Sequence, residues 1–253
     1  MKTIYIGDIH GDHGFVKYIY NNFKDYKKIF VGDIVDSLYF TRAEQLAAME
    51  LVLKMIEEGD TECIFGNHEM SYLHPTMFKC SGYAGTMQTL LSPIRSKIWK
   101  LFKPFIYDKE TKILISHAGL TKQIWDLYEL TFDNLEEKLN EWWNYNLNDY
   151  FDKNIEYSPF HWIGQIRYGS NFAGGLLWCD WNGEFQSIKD LTQIVGHTAL
   201  DNSENKAYNI RIVDNNFNID CLQANYQILE KNEQNIFQYI TIQHSEVYTN
   251  KKQ

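Results

Sequence analysis

Cysteine is scarce in this chain. The four residues (Cys63, Cys80, Cys179 and Cys221) are scattered through 253 positions and no two form a CxxC pair. That spacing excludes a zinc ribbon and offers no disulfide framework, so they read as small buried apolar side chains. Basic residues are outnumbered, 24 Lys and Arg against 33 Asp and Glu, for a net charge of −9. This deficit argues against general nucleic-acid binding, which calls for a basic face. It does not exclude a small nucleotide held through cations. No apolar run approaches the roughly 20 residues of a membrane span. No charged-then-apolar leader precedes the opening MKTIYIGDIHG. A soluble cytoplasmic protein with no membrane partner is therefore expected. The 44% hydrophobic and 15% aromatic content is enough for one core, and the length fits a single domain over 1–253.

What the chain has is glycine set beside Asp, Asn and His. GDIHG stands at 7–11, GDIVD at 32–36 and GNHE at 66–69, with SHAG around His117 and GHT around His197. Residues 2–6, 28–31 and 61–65 read as short strands. Residues 12–23 and 42–58 read as helices, the second with Leu46, Met49, Leu53 and Ile56 on one face. Thr41 and Glu44 have capping-box spacing, and Gly59-Asp60 ends the helix. Strand–helix–strand–helix–strand is the pattern of a parallel α/β layer, in which sites form at the carboxyl ends of strands. The first three motifs sit at such ends.

The middle of the chain reads differently. Residues 70–104 look helical and loopy, broken at Pro75, Pro93 and Pro104. Residues 105–107 and 112–116 flank DKET as a hairpin whose second strand delivers His117. Residues 133–145 read as a helix capped by Asp133. An aromatic-rich helical insertion is read around 121–165, lying over the sheet edge either as a cap over the site or, as readily, as plain surface packing. Residues 175–179 and 193–195 read as β, the latter leading into His197. Residues 208–214, 217–222 and 236–243 look like antiparallel strands, and 246–253 like a frayed polar tail.

The motifs together supply ligands for two divalent cations. A cation pair needs one bridging carboxylate and terminal ligands on each side. Asp33 is the natural bridge. Asp8 and His10 can complete one site, and Asn67, His117 and His197 the other. This mixed nitrogen and oxygen set suits manganese, iron, zinc, nickel or cobalt better than magnesium or calcium, with manganese first. Two such cations lower the pKa of a shared water and supply hydroxide to attack phosphorus in line. His68, beside Asn67, can protonate the leaving oxygen, and Asp36 can orient His68.

The five motifs in this order resemble those of the calcineurin-like metallophosphoesterase superfamily. GDIHG, GDIVD and GNHE are similar to its phosphoprotein phosphatase branch, which includes bacterial and phage-type serine/threonine phosphatases and diadenosine tetraphosphatases. The resemblance spans about residues 4–198. It implies an α/β fold, a four-layer β-sandwich flanked by helices. It also implies the same ligand set, Asp8, His10 and Asp33 for one metal and Asp33, Asn67, His117 and His197 for the other, with Asp36 and His68 as the catalytic pair. LLWCD at 176–180 is similar to a family segment ahead of the last ligand.

One departure stands out. The branch usually continues its second motif with Arg-Gly, whose arginine clamps phosphate, but here Ser37-Leu38 follows Asp36. A hydroxyl cannot replace a planar bidentate donor. Arg167 is the candidate substitute clamp, along with Asn67, although a plain surface arginine accounts for it as readily. Arg42 and Arg95 are weaker candidates. Asp180 reads as an acid supporting His197. Trp142, Trp143, Tyr145, Tyr150 and Phe151 could stack a nucleobase, though packing explains such a run more often. His13, His74, His161 and His244 read as ordinary surface or core histidines, and Asp12 as an acid favoured by the dipole of the helix after GDIHG.

The expected activity is phosphomonoester hydrolysis of the serine/threonine phosphatase kind on a phosphoprotein or nucleotide. The alternatives are a dinucleoside polyphosphate or nucleotide/RNA phosphodiesterase with the same metals, and a catalytically silent metal-binding scaffold.

Overall fold

The computed structural model describes residues 1–75, 78, 80–148, 158–199, 209–221 and 226–248, and the side chains of all of these except 145–148. Contacts group the chain into two compact units. Each is built round one five-stranded sheet, as the α/β expectation requires.

The first unit comprises Met1–Lys103 with the described residues of 199–210 and 219–253. Its strands are β1 (Thr3–Ile6), β2 (Lys27–Phe30), β3 (Thr61–Cys63), β9 (Tyr226–Lys231) and β10 (Phe237–Ile242), in the order β10-β9-β1-β2-β3. β1, β2 and β3 are parallel, with Thr3 opposite Lys27 and Lys28 opposite Thr61. Their carboxyl ends therefore lie on one edge, and GDIHG, GDIVD and GNHE leave side by side. β9 and β10 return antiparallel, with Tyr5 opposite Leu229.

Helix α1 (His13–Asn22) joins β1 to β2, and α2 (Arg42–Glu58) joins β2 to β3. α2 starts and stops where the sequence says. Thr41 and Glu44 form the reciprocal capping box, and Gly59 ends the helix in the left-handed region at φ 101°. Its buried face is Gln45, Ala48, Met49, Val52, Leu53 and Met55. That face is rotated from the expected one, because Leu46 and Ile56 are only half-buried. The register follows burial of the polar Gln45, which apolar periodicity cannot reveal. The short helices α3 (Asn67–Leu73), α4 (Gly85–Leu91) and α5 (Arg95–Leu101) complete the stretch broken by prolines.

The second unit comprises Pro104–Thr198 and Arg211–Asn218. Its strands are β4 (Ile106–Asp108), β5 (Ile113–Ile115), β6 (Thr192–Val195), β7 (Arg211–Val213) and β8 (Asn216–Asn218), in the order β4-β5-β6-β8-β7. β4 and β5 form the expected hairpin. β5 and β6 run parallel, so His117 and His197 leave from neighbouring carboxyl ends. Helices α6 (Lys122–Leu127) and α7 (Leu135–Asn148) lie between β5 and β6 in the chain.

Several expectations are corrected. Residues 175–179 are a tight turn and not a strand, because the N–H groups of Trp178 and Cys179 both donate to the Gly175 carbonyl at 2.9 Å. Gly175 also has no room for a side chain, since a Cβ there would lie 1.8 Å from the Pro159 carbonyl oxygen. The cap ahead of α7 is a Thr131–Asn134 exchange at 2.7 and 3.3 Å, while the exposed Asp133 pairs with Lys109 at 3.1 Å. β9 is an additional strand, and β8 pairs parallel with β6. The start of the frayed tail is helical instead, within α8 (His244–Tyr248). Trp142 and Trp143 are buried packing residues, with rings against Tyr128 and Phe160 respectively. The Tyr145 side chain, Tyr150 and Phe151 lie outside the described residues, as do Tyr208 and Leu222 at two expected strand ends. Among the described residues no helix is long and apolar enough to cross a membrane.

Candidate metal centre

The first unit gathers three motifs by backbone hydrogen bonds. The Asp33 carbonyl accepts the N–H groups of Ile9 and His10, both at 2.9 Å, and the Ile34 carbonyl accepts that of Gly11 at 2.7 Å. His10, Asp33 and Asp36 all sit in the left-handed region, at φ 45°, 52° and 67°. Such residues cost energy that surrounding contacts must offset. The main offset is Glu69. This buried carboxylate accepts the N–H groups of Asp33 and Ile34 at 2.8 Å and that of Gly66 at 3.1 Å. Gly66 has to be glycine, because a Cβ there would sit 2.1 Å from Asp33 Oδ1.

The side chains converge accordingly. His10, Asp33 and His68 each present a ligand-capable atom within 4.8 Å of the others. Asp8 Oδ2 is 4.0 Å from His10 Nε2, and both carboxylates, Asp8 and Asp33, are buried. His10 Nδ1 is 3.2 Å from the Val35 carbonyl, which favours a proton on Nδ1 and leaves Nε2 with its lone pair. Burial, reinforced by the neighbouring His68, pushes the His10 imidazole below its ordinary value and so keeps it neutral, as a ligand must be. Asn67 is buried, and its carboxamide N–H lies 3.2 Å from Cys80 Sγ. Burial raises the Cys80 thiol well above its usual range, so it stays protonated.

His68 and Asp36 meet as expected, with His68 Nδ1 2.9 Å from Asp36 Oδ2. The His68 N–H also donates to Asp33 Oδ1 at 3.0 Å. Burial lowers the affinity of this imidazole for a proton, but the Asp33 charge and the Asp36 hydrogen bond outweigh it and leave the group above its ordinary value. Tyr72 donates its hydroxyl to Asp36 Oδ1 and accepts the Ala84 N–H at 3.1 Å. Gln45, reaching in from α2, accepts the Asp36 N–H at 3.1 Å and donates to the carbonyls of Phe40 and Ser37 at 2.8 and 3.3 Å. Ser37 is turned inward on its own loop, where its hydroxyl accepts the N–H groups of Tyr39 and Phe40 at 3.0 and 3.2 Å. The weaker clamp candidates are engaged elsewhere. Arg42 donates to Gln45 at 3.3 Å, and Arg95 donates to the Leu73 carbonyl at the end of α3.

In the second unit, His197 Nδ1 lies 3.2 Å from His117 Nε2, with the rings edge-on at 67°. His117 is fully buried and His197 adopts φ 70°. The Gly196 N–H donates to the His117 carbonyl at 2.7 Å, which joins the two motif turns. Arg167 and Asp180 are partners of each other, with Nε 2.9 Å from Oδ2. Arg167 also donates to the Thr198 hydroxyl at 3.2 Å, next in sequence to His197. Arg167 is thus a tethered arginine beside the GHT turn. Asp180 is further held by the N–H groups of Asn182 and Gly183 at 2.8 and 3.1 Å.

Glu69, Tyr72, Gln45 and Thr198 were not singled out from the sequence. Glu69 carried a signal, being three residues past the N-cap Gly66. Tyr72 acts on Asp36, 36 residues away, Thr198 stood in the GHT motif without a role of its own, and Gln45, though it reaches only five to nine residues back, is a polar side chain that apolar periodicity does not mark. The donors present, buried carboxylates with imidazoles and a carboxamide, fit borderline divalent cations.

Residues 1–201 match the family model described as calcineurin-like phosphoesterase. The chain belongs to that family, and is a metal-dependent phosphoesterase. No curated protein sequence matches it. Among solved structures it is similar to a cold-active protein tyrosine phosphatase, at 14% identity and TM-score 0.62, covering 97% of this chain and 80% of that one. A mutant of cold-active protein tyrosine phosphatase matches at 15% identity and TM-score 0.57, covering 96% and 80%. A protein serine/threonine phosphatase from Saccharomyces cerevisiae matches at 12% identity and TM-score 0.49, with the same coverage.

Proposed function

We propose that this chain is a phosphomonoesterase of the phosphoprotein phosphatase branch, acting in the cytoplasm on phosphorylated serine or threonine. The observation that carries this reading is the His68–Asp36 pair at 2.9 Å, braced by Tyr72 and Glu69 beside buried Asp33. In this reading Asp8, His10 and Asp33 hold one cation, and Asp33, Asn67, His117 and His197 hold the other, with manganese the first choice of metal. Such cations supply Lewis acidity and lower the pKa of water. His68, held by Asp36 at 2.9 Å, gives a proton to the leaving oxygen. Asp36 keeps that imidazole turned toward the ester. Arg167, steadied by Asp180 and Thr198, takes the phosphate with Asn67.

A second reading has specific support. Ser37 stands where an arginine clamp is usual and its hydroxyl is committed to its own loop, so a diester or dinucleoside polyphosphate, with less charge at the scissile phosphorus, demands less clamping. The deciding experiment is a metal-reconstituted activity panel of phosphopeptides, aryl mono- and diesters, nucleotides and dinucleoside tetraphosphate. Faster turnover of phosphoserine and phosphothreonine peptides than of diesters is expected. His68→Ala should lower kcat by roughly 10²–10⁴-fold, and Arg167→Ala should raise KM for monoesters. Diester turnover exceeding monoester turnover would overturn the main reading in favour of the second.

A further inference from the structure

Asp12 is buried at 4% exposure directly after GDIHG, and the phosphoesterase reading gives it no role. Its Oδ1 caps α1 by accepting the Phe15 N–H at 2.9 Å. The same carboxylate accepts two phenol hydroxyls from the far end of the chain. Tyr248, in α8, donates to Oδ1 at 2.5 Å, and Tyr226, at the start of β9, donates to Oδ2. Capping alone needs one acceptor, so two further donors on one buried carboxylate exceed what the helix start requires.

The surroundings are shaped for these rings. The Tyr226 ring stacks on Phe15 at 4.2 Å and 10°. Gly14 leaves space for Tyr248, since a Cβ there would lie 2.6 Å from Tyr248 Cε1. His244 packs against Tyr248, with centroids 4.5 Å apart. Burial and the bond to Asp12 raise both phenols far above the ordinary tyrosine value, so both remain donors.

Asp12 is tied in turn to the ligand turn. Its N–H donates to the Ile9 carbonyl at 3.2 Å, and its carbonyl accepts the Val16 N–H at 3.1 Å. Between them, His10 and Gly11 adopt φ 45° and 84°. His10, a non-glycine residue in the left-handed region, keeps that conformation only where its surroundings fix it. One flank is fixed by the Asp33 and Ile34 carbonyls, and the other by Asp12. Asp8, Asp12, Phe15 and Tyr226 also line one small cavity.

We propose that Tyr226 and Tyr248 are positioning residues which, through Asp12, hold the His10 turn in ligand geometry, so that docking of the C-terminal helix and cation binding at Asp8 and His10 are coupled. This rests on the reading of Asp8 and His10 as ligands. By linkage the coupling is reciprocal: what the helix adds to cation affinity, the cation adds to helix docking.

The test uses the full chain with Mn²⁺ as the probe. Manganese dissociation constants are measured by calorimetry for wild type, Tyr248→Phe, Tyr226→Phe and Asp8→Asn. Hydrogen exchange of residues 244–248 is followed with and without Mn²⁺. Partners outside the ligand shell commonly change metal affinity by about 10–100-fold, and a partner one bond further out should act less. Each Phe variant is therefore expected to weaken one manganese site by roughly threefold to tenfold, and Mn²⁺ should slow exchange in α8 in wild type but not in Tyr248→Phe. Gly14→Ala, which crowds the Tyr248 ring and leaves both hydroxyls in place, should weaken the same site. A lower Tm with unchanged manganese affinity in the Phe variants, and α8 exchange indifferent to Mn²⁺, would overturn the coupling while leaving the ligand reading intact. Unchanged manganese binding in Asp8→Asn would overturn the ligand reading, and the proposal with it. If Tyr226→Phe fails to fold, the half-buried Tyr248 and Gly14→Ala still decide between these outcomes.

Discussion

Glu69 shows how one side chain can set a site without touching the chemistry. Its two oxygens take backbone N–H groups from Asp33, Ile34 and Gly66, and so hold the GDIVD turn against the start of α3. With the Val35 N–H at 3.4 Å, four donors face one anion and make a charge-assisted cluster that a neutral amide cannot match. Glu69→Gln would turn an NH₂ group toward backbone N–H groups and leave at least one buried donor unsatisfied. The expected loss is about 2–3 kcal/mol of stability, measurable as a shifted urea midpoint with little change in slope. Metal affinity should fall as well, because Asp33 and His68 lose their common support. An unchanged midpoint would show that Glu69 is not the brace described.

At the scale of elements, α2 links fold and site. Its buried face packs the first unit while Gln45, on the same face, fixes the turn that presents Asp36. The helix start is therefore relevant to both. Thr41→Ala removes the side-chain cap on the Glu44 N–H and is expected to cost about 1 kcal/mol, read as a lower midpoint in urea. Turnover per folded molecule should stay at the wild-type value, since Gln45, one turn into the helix, is held by its own bonds to Asp36, Ser37 and Phe40. A fall in kcat as large as that of His68→Ala would mean that the cap sets the Asp36 turn directly. The strands make the same point. β1, β2 and β3 are short, but their parallel register puts three motif turns on one edge. β5 and β6 do the same for His117 and His197, which are eighty residues apart in the chain.

For the whole molecule, the excess of acid over base has a consequence. The chain carries −9, and Asp8, Asp33 and Asp36 are buried close together in the first unit. Cations would relieve their mutual repulsion and bind the folded state preferentially. Divalent metal at one hundred times its dissociation constant should add about 2.7 kcal/mol. EDTA treatment is therefore expected to lower Tm and abolish phosphoester hydrolysis, with both restored by Mn²⁺. Loss of activity without any change in Tm would mean that the metal is bound too weakly to contribute to folding.

The sequence by itself determined the strand-end motifs, the α2 boundaries and the pairing of Asp36 with His68. The first two rest on local chemistry: glycine permitting a sharp turn after a short apolar run, or a cap at fixed spacing from the helix it starts; the Asp36–His68 pairing spans 32 residues and follows from the resemblance of the motifs that carry it. The tertiary structure alone decided the rest. It turned 175–179 into a turn through hydrogen bonds to Gly175, added β9 beside a strand more than two hundred residues away, and rotated α2 to bury Gln45. It joined Arg167 to Asp180 and brought two tyrosines from the end of the chain onto Asp12. Those contacts join residues with no shared local pattern. They form because buried polar groups must find partners, and the partner is chosen by the packing that buries them.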